Sequence, residues 1–266
     1  MTERERFDVV LEELGLLLSR LGWLCDVVLI GGQALAVEQV AAGEEPILRI
    51  ETDTGQRLDR GYSFDPDLLV EPLDPEESNR WDELPHVLRD AGYRHGPRGF
   101  QWEKQVGKVY VRLDLFIPSG APTPATEMTR LPRGEQVLAR AHEVRIRIGA
   151  REIKLKTPSI VDFVMMKIDA TRIRRPRSAK DAFDLYAYAR KKSPMAIAEA
   201  LAKTAERGEA LARLSEIFAE NGPGVLDVLS YVRSLEEVDR QLVARDVART
   251  FAEVRRATLE LASVSR

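Results

Sequence analysis

Asp65 and Asp67 stand one residue apart in the run 63–71, SFDPDLLVE. On an extended strand, residues i and i+2 face the same way, so both carboxylates could reach one divalent cation. Pro66 between them has no N–H to give to a sheet and pushes Asp65 away from helical angles. That puts the strand at an edge, or puts the pair near its end. The same three residues also read as an Asp-Pro-Asp turn. A third carboxylate, Asp114, falls in the middle of the alternating run 109–117, where aspartate is disfavoured. It shares a face with Arg112 and Phe116, so an ion pair with Arg112 on a solvated sheet face competes with a metal-binding role.

Gly31-Gly32 follow the short apolar run 26–30 and precede a helical pattern from Gln33 to Val40. Glycines at such a junction let a backbone approach phosphate oxygens, and the helix start favours negative charge; a tight turn needs the same residues. Lys167 lies in the otherwise apolar run 160–168, where an ammonium needs solvent or an anion. A phosphate is one such anion and the Asp181 carboxylate another, and a lysine snorkelling from the core edge needs neither. Arg172, Arg174, Arg175, Arg177 and Lys180 form a basic run, suited to phosphates or to a solvated loop between helices.

The elements that must position these residues follow from periodicity. Residues 3–22 carry one apolar stripe, Phe7, Val10, Leu11, Leu14, Leu17, Leu18 and Leu21, at helical spacing. Strands are predicted at 26–30, 46–51, 63–71 and 109–117, with a hairpin over 142–155 that turns at Gly149-Ala150. Residues 52–61 read as polar turn, 76–91 as a helix over the sheet, and 93–105 as ambiguous. Thr157-Pro158 reads as a helix start, and only helical patterns follow, broken near Ser193-Pro194, Gly208 and residues 221–224. The expected fold is α/β (α+β): a mixed sheet flanked by helices over 1–156, then a helical bundle over 157–266.

The order strand, Gly31-Gly32, helix, Asp65-x-Asp67, then Asp114 on a later strand resembles the DNA polymerase beta-like nucleotidyltransferase superfamily over residues 24–118. Downstream, Lys167, the basic run, Lys180-Asp181 and Asp184-Leu185 look like the AbiEii-type branch, which includes toxin components of bacterial toxin–antitoxin pairs. The resemblance implies that Asp65, Asp67 and Asp114 bind Mg²⁺ or Mn²⁺ and carry catalysis. It implies that Gly31, Gly32, Ser63, Lys167, Asp181 and Asp184 serve the nucleotide. The implied reaction moves a nucleotide from a nucleoside triphosphate to a hydroxyl on RNA such as tRNA, on a protein or on a small molecule. A cognate antitoxin is the implied protein partner. Three features depart from the family pattern: Pro66 replaces an aliphatic residue, Gly61 stands where arginine is common, and the connection 43–61 is long. They support an alternative, a non-catalytic nucleotide-binding or protein-interaction module that kept the fold.

Composition narrows the setting. The 266 residues are 44% hydrophobic and 31% charged, an ordinary globular balance. The net charge of -3 means that nucleic-acid binding would need a local basic patch. Cys25 is the only cysteine, which excludes an internal disulfide and a cysteine-rich zinc site, and His86, His95 and His142 lie far apart with no metal-ligand spacing. No run reaches ~18 consecutive apolar residues, so no membrane span is expected. The charged, helical start MTERERFDVVLEEL lacks the pattern of a secretory signal, and a cytoplasmic location is expected.

Overall fold

A computed structural model describes residues 1–47, 49–59, 61–73, 80–121, 128–173, 179–232 and 237–264. The first half runs α1 (Glu3–Leu21), β1 (Cys25–Ile30), α2 (Gly31–Ala41), β2 (Arg49–Glu51), β3 (Arg57–Asp59), β4 (Asp67–Pro72) and α3 (Arg80–Asp90). It continues through β5 (Arg94–His95), β6 (Gln101–Val106), β7 (Val109–Pro118), β8 (Thr129–Leu131), α4 (Gly134–Arg140), β9 (His142–Ile148) and β10 (Arg151–Thr157). Described residues beyond this point form only helices: α5 (Ile160–Ile173), α6 (Ala179–Lys192), α7 (Pro194–Ala202), α8 (Arg207–Ile217), α9 (Pro223–Tyr231) and α10 (Glu237–Val264). The chain divides into two compact units, Met1–Pro46 with Tyr62–Ser159, and Ile47–Gly61 with Ile160–Arg266.

The first unit is an α/β layer built on a mixed eight-stranded sheet of order β5-β6-β7-β4-β1-β10-β9, with β8 paired to β7. The β4–β7, β1–β10 and β7–β8 pairs are parallel and the others antiparallel. α1 starts with a capping box: the Thr2 hydroxyl accepts from the Glu5 N–H and the Glu5 carboxylate accepts from the Thr2 N–H. Its predicted stripe is buried, apart from half-buried Leu18, against Leu68, Val70, Val111, Leu113 and Leu115 of the sheet. β7 alternates as expected, with Val109, Val111, Leu113, Leu115 and Ile117 buried in this core. The opposite sheet face carries Arg112, Asp114 and Phe116.

Four sequence expectations change. The segment 52–61 contains β3, which pairs with β2 as a two-stranded hairpin grouped with the second unit. Residues 93–105 resolve into β5 and β6. Regular strand structure in 63–71 begins at Asp67, because Pro66 cannot donate to the ladder. Thr157 is the last residue of β10 rather than a helix cap; its hydroxyl donates to Glu38 at 3.0 Å, and the helix starts at Ile160. Residues 76–79 of the expected helix, Leu48, and Arg174, Arg175 and Arg177 of the basic run lie outside the described residues.

In the second unit, Phe163 stacks on Tyr188 and Phe218 on Phe251, at centroid distances of 4.1 and 3.8 Å. The hairpin is fastened by Asp53, which accepts from Arg190 at 2.7 Å, while the Asp53 N–H donates to Asp246 at 3.3 Å. Asp246 is buried and also takes the Tyr186 hydroxyl and Arg249. Among the described residues no helix is long and apolar enough to cross a membrane.

Cys25 opens β1 in the core, and burial, helped by the neighbouring Asp26 charge, pushes its thiol up to about 12. At pH 8 only about one molecule in ten thousand would carry the reactive thiolate. A thiol-specific reagent should therefore leave the native protein unlabelled at pH 8 and label it fully in denaturant. Rapid stoichiometric labelling of native protein would show that β1 is not buried as described.

Candidate active site

β4 is hydrogen-bonded on both sides. Ile30 of β1 lies opposite Asp67, and Asp67 lies opposite Asp114 of β7. Residues opposite each other in register point to one face, so Asp67 and Asp114 are neighbours there. The Asp114 N–H donates to the Pro66 carbonyl at 3.0 Å, which fixes the point where β4 starts. Asp65 sits at a bend just before the strand and is exposed. Ser63 is buried, and its carbonyl accepts from the side-chain amide of buried Gln33 on α2 at 3.5 Å.

Gly31 is required by position. Its φ is +72°, a region that costs other residues energy, and a Cβ placed on it would lie 2.1 Å from Oδ2 of Asp67. The Asp67 carboxylate thus lies against the bare Cα at the start of α2. That helix has no side-chain cap hydrogen bond, and its first turn holds no acidic residue of its own. A helix start carries partial positive charge from its first N–H groups. Two carboxylates and a helix N-terminus therefore meet at the end of β4.

A polar ladder on β6 and β7 holds Asp114 in place. Gln101, buried and opposite Asp114 in register, donates from Nε2 to Oδ1 at 2.8 Å. One step along, Arg112 donates from Nε to Glu103 at 3.0 Å, and the Tyr110 hydroxyl donates to the other Glu103 oxygen at 2.5 Å. The Tyr110 hydrogen bond, then Arg112, hold the Glu103 carboxyl below the usual carboxylate range. The Glu103 hydrogen bond raises Arg112 above its ordinary value, with Asp65 and Asp114 adding to the effect. Arg112 therefore pairs with Glu103, and Asp114 takes the neutral amide of Gln101. Gln101 and Glu103 were not singled out from the sequence. Their same-face spacing in an ambiguous segment was the available signal. Among the described residues, no group of three His, Cys, Asp or Glu side chains is gathered to hold a metal ion.

Lys167, Asp181 and Asp184 form a cluster within the second unit. Nζ of Lys167 on α5 donates to Asp181 at 2.9 Å and to Asp184 at 2.6 Å, both on α6. All three are buried, the two aspartates almost completely. The anion that this apolar helix demanded is thus supplied by the Lys-Asp-x-x-Asp segment itself.

No protein-family model matches the chain, and no curated protein sequence matches it. Among solved structures, it is similar to the crystal structure of an antigenic nucleotidyltransferase-like protein from Paracoccidioides brasiliensis. The two are 15% identical, with 86% of this chain and 93% of that chain covered, at a TM-score of 0.45.

Two substitutions test this geometry. Gly31→Ala should cost about 1–2 kcal/mol for its backbone angle alone and push the Asp67 carboxylate aside. In a double-mutant cycle with Asp67→Ala, measured by urea unfolding, the contact part of that cost should disappear. Strictly additive losses would mean that Gly31 and Asp67 do not touch. Lys167→Met should destabilise by about 3–5 kcal/mol, because it removes the ammonium that two buried carboxylates accept from. Adding Asp181→Asn and Asp184→Asn should recover much of the loss. A Lys167→Met loss below about 1 kcal/mol would rule out a buried ionic tie, since that is the range of an exposed pair.

Proposed function

We propose that this chain transfers a nucleoside monophosphate, or a longer nucleotide unit, from a nucleoside triphosphate to an acceptor hydroxyl. The observation that carries the reading is the in-register Asp67–Asp114 pair beside the glycine-led start of α2. Two carboxylates repel a bare triphosphate, and a helix N-terminus repels a bare cation. A complex of divalent metal and triphosphate suits both at once.

The donor set fits such an ion. Carboxylate oxygens suit Mg²⁺ or Mn²⁺, and Mg²⁺ in nucleotide sites takes one or two carboxylates, with water and substrate phosphates completing its shell. Asp67 and Asp114 supply that number, and exposed Asp65 stands two residues from Asp67 as a third donor. When bound, the ion would offset phosphate charge and ease loss of the acceptor proton.

The chain's own groups have separate tasks in this reading. In this reading the backbone N–H groups at the start of α2, at Gly31 and Gly32, receive the phosphates. Gln101 keeps Asp114 oriented, and Ser63 belongs to the wall that Gln33 ties to α2. The acceptor oxygen bonds to the phosphorus under attack, the bond to the leaving phosphate oxygen breaks, and the hydroxyl proton passes to solvent. Lys167, Asp181 and Asp184 serve as the tie between α5 and α6. The order Lys167, basic run, Lys180-Asp181 and Asp184-Leu185 is what supports the AbiEii-type resemblance, and with it a toxin role and an antitoxin partner. A second reading, triphosphate binding without turnover, is favoured by one observation: Asp65 sits exposed at a bend before β4 rather than on the strand itself.

Labelled ATP, GTP, CTP and UTP, each with Mg²⁺ or Mn²⁺, incubated with total RNA and with the protein alone, test the proposal. Wild type should yield a labelled product. Asp65→Asn should abolish it without lowering the melting temperature, because Asp65 is exposed. The absence of product with every nucleotide on both acceptors would overturn transfer, and metal-dependent triphosphate binding without product would establish the second reading.

A further inference from the structure

Arg112 has no task in the reading above, yet it stands inside the carboxylate group. It is two residues before Asp114 on β7 and shares its face, and Asp65 and Asp114 both act on its charge. Its side chain is 39% exposed, so a ligand in solvent can reach it. Glu103 holds it by the Nε–H, and Tyr110 holds Glu103 in turn. Of the five N–H donors of its guanidinium, the Nε–H is the one bonded to Glu103, and that anchored edge fixes how the fork is presented.

We propose that Arg112 is a phosphate-binding residue of this site, and that it makes metal and triphosphate bind together rather than separately. The inference rests on the transfer reading and adds to it a ligand and a binding order. A divalent ion at Asp67 and Asp114 arrives beside a fixed positive charge, which weakens the binding of the ion alone. A triphosphate brought with the ion reverses the sign. Its oxygens take the guanidinium donors as a charge-assisted fork, and the repulsion becomes an attraction. By linkage, each ligand then strengthens the other by the same factor. Glu103 keeps the guanidinium in place without cancelling it as a ligand, because the carboxylate uses one oxygen for Nε–H and the other for Tyr110.

The test uses full-length protein and two probes, Mn²⁺ alone and Mn²⁺ with each of the four nucleoside triphosphates. Bound Mn²⁺ is read by electron paramagnetic resonance and bound nucleotide by calorimetry. Arg112→Gln should bind Mn²⁺ alone more tightly, on the order of fivefold, because a like charge is gone. The same variant should bind triphosphate with Mn²⁺ more weakly than wild type. Arg112→Lys keeps the charge but not the fork, so it should match wild type for Mn²⁺ alone and lose part of the triphosphate affinity. Opposite signs for the two probes cannot come from a general loosening of the sheet. Shifts of the same sign, or no shift, in a variant that melts like wild type overturn the proposal. If Arg112→Gln fails to fold, Arg112→Lys decides it: unchanged triphosphate affinity overturns the fork. Wild-type protein that binds neither Mn²⁺ nor triphosphate would instead overturn the transfer reading, and this inference with it.

Discussion

The position of β4 between β1 and β7 controls the chemistry at the end of the sheet. Leu68 and Val70 are completely buried on the core face, beside Leu113 and Leu115 of β7. A slip of one residue would turn these side chains to the other face and carry Asp67 into the core. Burying each leucine or valine contributes about 1.5–3 kcal/mol, so the apolar face sets the register with a large margin. The Asp67–Asp114 pair is a by-product of that register. The register that buries Leu68 and Val70 on one face places the two carboxylates side by side on the other.

Both units meet the cost of sequestered charge by supplying specific donors. Asp114 takes the neutral amide of Gln101, and Asp246 takes the Tyr186 hydroxyl together with Arg249 and a backbone N–H. Lys167 is the stricter case, with one ammonium between two carboxylates and almost no water. Such a triad adds little net stability over a well-packed apolar cluster, since desolvation offsets most of the attraction. What it adds is selectivity of packing, because α5 and α6 can meet in one register only if all three charges are to be satisfied.

Much of this was legible in the chain. The alternation over 109–117 matched the burial of β7 residue for residue, and the hairpin turning at Gly149 was readable because glycine there adopts positive φ. The strand–glycine–helix order around Gly31 was readable for the same reason. The parts that were not legible depend on distant partners. β2 and β3 are short and polar, and their fastening comes from Arg190 and Asp246, more than a hundred residues downstream. Thr157 before a proline has the chemistry of a cap, and Glu38, 119 residues earlier, makes it a strand end instead. Gln101 and Glu103 have the composition of any solvated edge. Only the pairing of β6 with β7 reveals that they are buried and organise Asp114 and Arg112.

The hairpin also decides how this protein can be dissected. Residues 47–61 interrupt the first unit in sequence but group with the second. A fragment ending at Ser159 would carry β2 and β3 without α6 and α10, releasing Ile50 and Leu58, both buried at present, into water. The complementary fragment from Ile160 would keep Asp246 and lose the backbone donor of Asp53 that sits on it. No single cut yields two self-sufficient pieces. Separate expression of the units requires the excursion to be excised from one coding segment and spliced onto the other, with a linker joining Pro46 to Tyr62.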